Sequence, residues 1–142
     1  ILISIVTACS TGYHPAGFTG GYEEMKLGKG LYKVSFKGNG FTNSETVNRY
    51  FLRRCAELTL EQGFDFFAIV DQNKETVTSD LGSQTKGTLS RNISGNYNYS
   101  ENTQTDYVTK HSNEGVIRLF KNGSEPEIAF EAKEVLKNFT GK

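Results

Sequence analysis

Residues 42–71 read TNSETVNRYFLRRCAELTLEQGFDFFAIVD, and this stretch decides the fold. Thr42 and Glu45 stand at the spacing of a capping box, in which a hydroxyl and a carboxylate satisfy the free N–H groups of a first helical turn. They place a helix start near Asn43. Val47, Phe51, Cys55 and Leu58 then recur at helical spacing and form one apolar stripe, widened by Tyr50, Leu52 and Leu60. Arg53, Glu57 and Glu61 follow every fourth residue on a polar face, where an oppositely charged pair such as Arg53–Glu57 contributes about 0.2–0.5 kcal/mol. Gly63 can take the left-handed conformation that closes a helix. Phe64 to Val70 is apolar on both faces apart from Asp65 and reads as a central strand, covered on both sides or partly paired internally.

Upstream, Leu31 to Lys37 alternates: Tyr32, Val34 and Phe36 point one way, and Lys33, Ser35 and Lys37 the other. That is a half-buried strand. Gly38-Asn39-Gly40 supplies the turn that follows, and glycines there and around Lys29 fit no complete phosphate-binding or dinucleotide pattern. Downstream, Gln72 to Gly115 is dominated by Ser, Thr, Asn, Gln, Gly and Lys, which as a compact unit bury too little apolar area to offset their ordering entropy. Thr76–Asp80 and Thr88–Tyr99 nonetheless alternate like exposed strands, so the expectation is a projecting polar β-arm or a mobile loop. Val116 to Lys121 is a further strand, ended by the hairpin signal Asn122-Gly123. Glu127 to Ala132 can pair back with Ile128, Phe130 and Ala132 inward, while Ala132, Val135, Leu136 and Phe139 also fit helical spacing. A strand passing into a short terminal helix is expected.

The fold predicted is therefore α+β: a small, mainly antiparallel sheet of about four strands with one amphipathic helix, Asn43 to Gln62, on one face. The order is strand, helix, strand, polar arm, strand, strand. One domain, residues 31–142, carries the polar insertion at about 72–115. The chain of 142 residues has room for one modest core.

Val6-Thr7-Ala8-Cys9 closes an apolar run and precedes a segment rich in Gly, Ser and Thr. It resembles the lipobox ending a bacterial lipoprotein signal peptide. The resemblance implies cleavage before Cys9, lipid on its thiol and an acylated new amino terminus. Residues 1–8 are then the remnant of a signal peptide, since Ile1–Val6 is too short to span a bilayer, which takes about 20 apolar residues. Ser10 follows Cys9 where lipoproteins retained at the inner membrane often carry Asp, so the resemblance favours the periplasmic face of the outer membrane. Residues 9–30 read as the lipidated end and a flexible tether with a reach near 25 Å, from about 5–6 Å times the square root of length. Two alternatives stay open: Ile1–Ala8 as a buried strand with Cys9 an ordinary core thiol, and a Cys9–Cys55 disulfide, which acylation would preclude.

Several blocks carry a wider likeness: Tyr32-Lys33-Val34-Ser35-Phe36, Gly38-Asn39-Gly40 with Thr42, Arg54-Cys55-Ala56-Glu57-Leu58-Thr59-Leu60, Gly63-Phe64-Asp65-Phe66-Phe67, and Ala129-Phe130-Glu131-Ala132-Lys133-Glu134-Val135-Leu136. With the lipobox they resemble a family of small proteobacterial envelope lipoproteins. The likeness spans most of the domain but not the polar arm, and departs at Cys55, where a small residue such as Ala is expected. It implies an address and a fold, and no biochemical activity.

Charge and motif exclude several classes. With 16 basic and 16 acidic residues the formal net charge is +0, so no positive field for nucleic acid exists. Only Arg53-Arg54 are adjacent, which makes no polybasic membrane patch. His14 and His111 have no partners at metal-ligand spacing, no cofactor fingerprint is present, and Gly-x-Ser-x-Gly is absent. Cys55, on the apolar stripe, reads as a core residue rather than a nucleophile. Glu57 and Asp65 are the nearest thing to paired carboxylates, explained by a helix-surface ion pair with Arg53 or Arg54 and a strand-edge aspartate. Arg54, between stripe and polar face, can stack on Tyr50 or pair with Glu57 or Asp65.

The function expected is that of a non-catalytic accessory or structural envelope lipoprotein, anchored at Cys9 and working through an envelope protein partner. Its candidate contacts are Tyr97, Tyr99 and Tyr107 in the arm and Arg54 on the helix. The alternatives are a module that binds a small ligand or cell-wall fragment on the open sheet face, and a hydrolase without a local motif.

Overall fold

The chain alternates strands and helices in the order β1 (Gly21–Gly28), β2 (Leu31–Lys37), α1 (Ser44–Glu61), β3 (Phe66–Arg91), β4 (Tyr97–Phe120), β5 (Phe130–Glu131) and α2 (Ala132–Lys137). The computed structural model describes residues 11–139, with the side chains at 81, 83–86, 88, 102 and 104 excepted. Ile1–Ala8 and Cys9 lie outside the described residues, and with them the lipobox and the Cys9 alternatives. The fold is α+β: a five-stranded, mainly antiparallel sheet in the order β1-β2-β4-β3-β5, with α1 on one face.

Strand alternation explains which face α1 covers. Tyr32, Val34 and Phe36 of β2 are buried, as are Val47, Phe51, Cys55 and Leu58 of the helical stripe, Phe67 of β3, and Ile117 of β4. Fully burying a side chain such as Val, Leu or Phe contributes about 1.5–3 kcal/mol, so this layer drives folding. Gly115 pairs with Val34 directly beneath the helix. A Cβ at Gly115 would lie 2.8 Å from Phe51 Cζ and 3.1 Å from the Asp71 carbonyl oxygen, so only glycine lets α1 sit this close.

The helix starts one residue later in its capping than the sequence predicts. Asn43 is the cap, its Oδ1 accepting the Thr46 N–H at 2.8 Å. Thr42 is buried instead: its hydroxyl donates to Asn39 Oδ1 at 2.9 Å and accepts the Thr11 N–H at 2.6 Å.

The tether expected over residues 9–30 is structure from Thr11 onward. The buried Thr11 hydroxyl donates to the Thr19 carbonyl at 2.7 Å and accepts the Asn39 N–H at 2.7 Å. The Tyr22 N–H donates to the His14 carbonyl, and β1 pairs with β2 from Gly21↔Lys37 onward. Glycine here provides close approach rather than flexibility: Gly21 has φ +125°, and a Cβ on it would lie 2.5 Å from the His14 carbonyl oxygen. β1 escapes an alternation test because it is an edge strand. Pairing of Glu24 with Val34 puts a carboxylate, not an apolar group, on the helix side.

At the other end, the Asn122-Gly123 turn forms, with the Ser124 N–H donating to the Lys121 carbonyl and Gly123 at φ +91°. It does not return the chain onto β4. Both flanks of β4 are taken by β2 and β3, so β5 crosses to β3 and pairs as Phe66↔Glu131 and Phe67↔Phe130. The last strand is thus two residues long rather than Glu127–Ala132. Ile128, expected inward, is 78% exposed, and Phe130 is only partly covered by stacking on Phe67. Ala132 is buried and opens the terminal helix α2.

Residues 77–109 of the polar stretch form a compact unit of their own, the first unit comprising the chain on either side. This second unit is a β-hairpin and not a loop. Its turn is closed by Asn92 and Asn96: the Asn92 N–H donates to the Asn96 carbonyl at 2.8 Å, the Asn96 N–H to Asn92 Oδ1 at 2.9 Å, and Gly95 takes φ +86°.

Candidate functional site

Arg54 projects from α1 where the apolar stripe meets the polar face, and only 6% of it is exposed. Its Nε and Nη2 donate to the two Glu24 oxygens at 3.0 and 2.6 Å, and Nη1 and Nη2 donate to those of Glu61 at 3.1 and 3.0 Å. Nη1 also reaches Glu57 Oε2 at 3.4 Å. A guanidinium has five N–H donors, and these five contacts use them all. Its carbon lies 4.5 Å from the centroid of the Tyr22 ring. Burial alone would lower the Arg54 pKa, but the hydrogen bonds and charges of Glu24 and Glu61 outweigh it and raise it above the ordinary value. Arg54 is a clasp between β1 and α1, with no donor left for a partner, in contrast to its sequence-based assignment as a contact.

Glu57 serves both neighbouring arginines, as the helical spacing predicts. Arg53 Nε donates to Glu57 Oε1 at 3.0 Å, while its guanidinium lies 3.9 Å from the centroid of the Tyr13 ring. The Tyr13 hydroxyl donates to Glu57 Oε2. Burial first, then the hydrogen bond and charge of Glu57, push the Tyr13 phenol above its ordinary pKa. Tyr13 also meets Tyr22 at 4.9 Å and Tyr50 at 5.5 Å between ring centroids. Asp65 is engaged elsewhere, its Oδ2 accepting the Asn122 N–H at 3.0 Å.

The remaining chemistry-bearing side chains are dispersed. His111 Nδ1 lies 3.0 Å from the Thr76 hydroxyl, and His14 Nδ1 lies 2.7 Å from the Pro15 carbonyl. Cys55 is fully buried, and burial raises its thiol pKa, which opposes formation of a nucleophilic thiolate. Among the described residues no three His, Cys, Asp or Glu side chains gather to hold a metal ion. No helix among them is long and apolar enough to cross a membrane.

Two features escape the sequence reading. Asn113, placed there in the polar arm, is fully buried: its Nδ2 donates to Asn48 Oδ1 at 3.0 Å, and its Oδ1 accepts from Gln72 Nε2 at 3.0 Å. No sequence pattern marks it. Glu24 did have a signal, since Gly28-Lys29-Gly30 separates two runs of similar length as a hairpin turn does.

Two of the open surfaces bear on the sequence-based candidates. On the sheet face away from α1, Glu23, Met25, Lys33, Ser35, Lys37 and Glu114 line a shallow depression of about 380 Å³, crossed by a Lys33–Glu114 ion pair of 2.9 Å. In the hairpin unit, Tyr97, Tyr99 and Tyr107 occupy alternate-register positions of β4 and are 63–64% exposed. The Arg91 guanidinium lies 5.8 Å from the Tyr97 ring centroid, and the Tyr99 ring lies over Gly87, where a Cβ would collide with it. Leu89 and Ile93 of the same unit are exposed as well. Compared with protein-family models, curated proteins and solved structures, the chain matches none.

Proposed function

We propose that this chain is a lipid-anchored, non-catalytic envelope protein whose hairpin unit docks a protein partner at the periplasmic face of the outer membrane. The observation that carries the docking role is the exposure of Tyr97, Tyr99 and Tyr107 on a two-stranded ribbon. A hairpin of two strands is marginal by itself in water and has no second layer to cover its aromatic groups. Tyrosines are enriched among the residues that dominate binding energy, because a rigid ring and a hydroxyl bury much area at low entropic cost. The anchor rests on the lipobox resemblance at Cys9.

Two experiments test the two parts separately. Intact-mass measurement of the membrane fraction should find acyl mass on a chain beginning at Cys9; an unmodified Cys9 would remove the anchor. Cross-linking followed by affinity purification should recover a partner that the Tyr97→Ser/Tyr99→Ser/Tyr107→Ser variant loses, and recovery of the same partner at equal yield would remove the docking role. A second reading, capture of a small zwitterionic ligand, is favoured by the Lys33, Lys37, Glu23 and Glu114 lining of the open-face depression. Ligand-induced shifts confined to that face would support it.

A further inference from the structure

We propose that a cleft beside Arg49 and Arg53 binds the phosphate of an anionic glycerophospholipid headgroup. The cleft measures about 310 Å³; the described residues that line it are Thr46, Arg49, Tyr50, Arg53, Asn138 and Phe139, none of them a carboxylate. The open-face depression, by contrast, includes Glu23 and Glu114, and the cleft beside β5 includes Asp65 and Glu131.

Arg49 and Arg53 stand one helical turn apart, where like charges repel and an anion between them relieves the repulsion. The Phe139 ring lies against both guanidiniums, at 5.4 and 5.6 Å from its centroid, and Tyr13 lies against Arg53. Aromatic stacking holds a guanidinium in its plane while leaving the in-plane N–H donors available, which is the geometry that phosphate oxygens match. Among the described residues, Arg53 commits only Nε, to Glu57. Arg49 forms no ion pair among the described residues; Glu45, one turn before it, does not reach it. Thr46 brings the first turn of α1, the positive end of the helix, to the same cleft.

Placement supplies the source of the phosphate, and here the inference rests on the lipid-anchor reading. Thr11 is pinned to Thr42 and Asn39 beside the start of α1, and Tyr13 stacks with Arg53. Cys9 is two positions from Thr11, at most about 7 Å of extended chain. Acyl chains on Cys9 would therefore hold the N-terminal half of α1 at headgroup level, not a tether's length away. With a formal net charge of +0, the chain has no general attraction for an anionic surface, so binding there needs a local site.

The test uses the full chain carrying Cys9→Ser, so that no acyl group contributes. It measures co-sedimentation with phosphatidylcholine vesicles with and without phosphatidylglycerol as a third of the lipid. The expected result is excess binding to the anionic vesicles, weakened about five-fold by Arg49→Gln and unchanged by Arg118→Gln, for a loss of about 1 kcal/mol per basic residue at such a surface. Arg53→Lys, which keeps the charge and loses the fork, should also weaken it. Arg49 is exposed and forms no ion pair among the described residues, so its variant is expected to keep the fold, and a matching circular dichroism spectrum checks this. Absence of excess binding, an unaltered Arg49→Gln variant, or an equal loss with Arg118→Gln would overturn the proposal. Shifts of the Arg49 and Arg53 side-chain resonances with inorganic phosphate but not with vesicles would assign the cleft to free phosphate and overturn the headgroup. Failure of the anchor is read separately, as the absence of acyl mass on Cys9.

Discussion

Arg54 of α1 and Glu24 of β1, thirty positions apart, meet in a two-point ion pair of 2.6 and 3.0 Å with 6% of the arginine exposed. That pair joins the edge strand to the helix, and Glu61 and Glu57 complete the ring of acceptors around the guanidinium.

Removing Arg54 leaves Glu24 and Glu61 without their cation, while Glu57 keeps Arg53. Arg54→Met is expected to cost about 3–5 kcal/mol, the range for breaking a buried ion pair from one side. Glu24→Gln should cost less, because the Glu24 side chain is partly solvated and Arg54 keeps Glu61. Urea unfolding measures both, and an Arg54→Met loss below that of Glu24→Gln would refute the clasp.

Alkaline pH should unfold the protein through two groups. The Cys55 thiol and the Tyr13 phenol both have folded-state pKa values raised above their ordinary 9.0 and 10.0, so the folded state retains protons that the unfolded chain releases. Their contribution is complete below the ordinary values and declines as pH rises past them, with a slope approaching about 1.4 kcal/mol per pH unit for the thiol. In Cys55→Ala/Tyr13→Phe the decline should flatten. Denaturant midpoints across the alkaline range provide the measurement, and an equally steep double variant would count against this account.

Gly115→Ala tests how closely α1 approaches the sheet. The added methyl would press on Phe51 and on the Asp71 carbonyl, so a loss of about 1–3 kcal/mol is expected from overpacking. Adding Phe51→Leu should recover part of it if Phe51 is the obstacle. Thermal melts of the single and double variants decide.

Because Cys55 is fully buried, its thiol should resist an aromatic disulfide reagent at neutral pH. Labelling is expected at the rate of opening and to accelerate with urea as the core unfolds. Immediate reaction in the native state would show that the core side of α1 is accessible.

The hairpin unit should be dispensable for folding of the first unit. Thr76 and His111 already face each other across β3 and β4, 3.0 Å apart. Replacing Val77–Thr109 by Asn-Gly should leave the unfolding midpoint within about 0.5 kcal/mol of the parent, the usual scale for changes away from a core. A cooperative loss of the near-ultraviolet signal would show that the two units fold together.

Local pattern alone determined the helix, the alternation of β2, and Cys55 as a core residue, because each is written in the spacing of apolar groups along a few turns or strand positions. The run Phe64–Val70, expected to be covered on both faces, is buried only at Phe67 and Ala68, with Val70 57% exposed, because the two-residue β5 and α1 cover only the start of β3. Composition misled where a segment's role depended on distant partners. Residues 11–28 look like a tether because their polar groups find their hydrogen-bond partners on Asn39, Thr42 and Arg54, which no local window contains. The hairpin signal at Asn122-Gly123 was read correctly as a turn, yet which strand β5 joins depended on β4 already having two neighbours. Arg54 and Glu57 were legible as an ion pair one turn apart, whereas Glu24 and Tyr13 became part of that cluster only through the pairing of β1 with β2 and the folding of the N-terminal segment over α1. Spacing within a helix or strand is set by backbone geometry and can be read directly. Which buried charge meets which carboxylate is set by the packing of whole elements, and only the tertiary structure decided it.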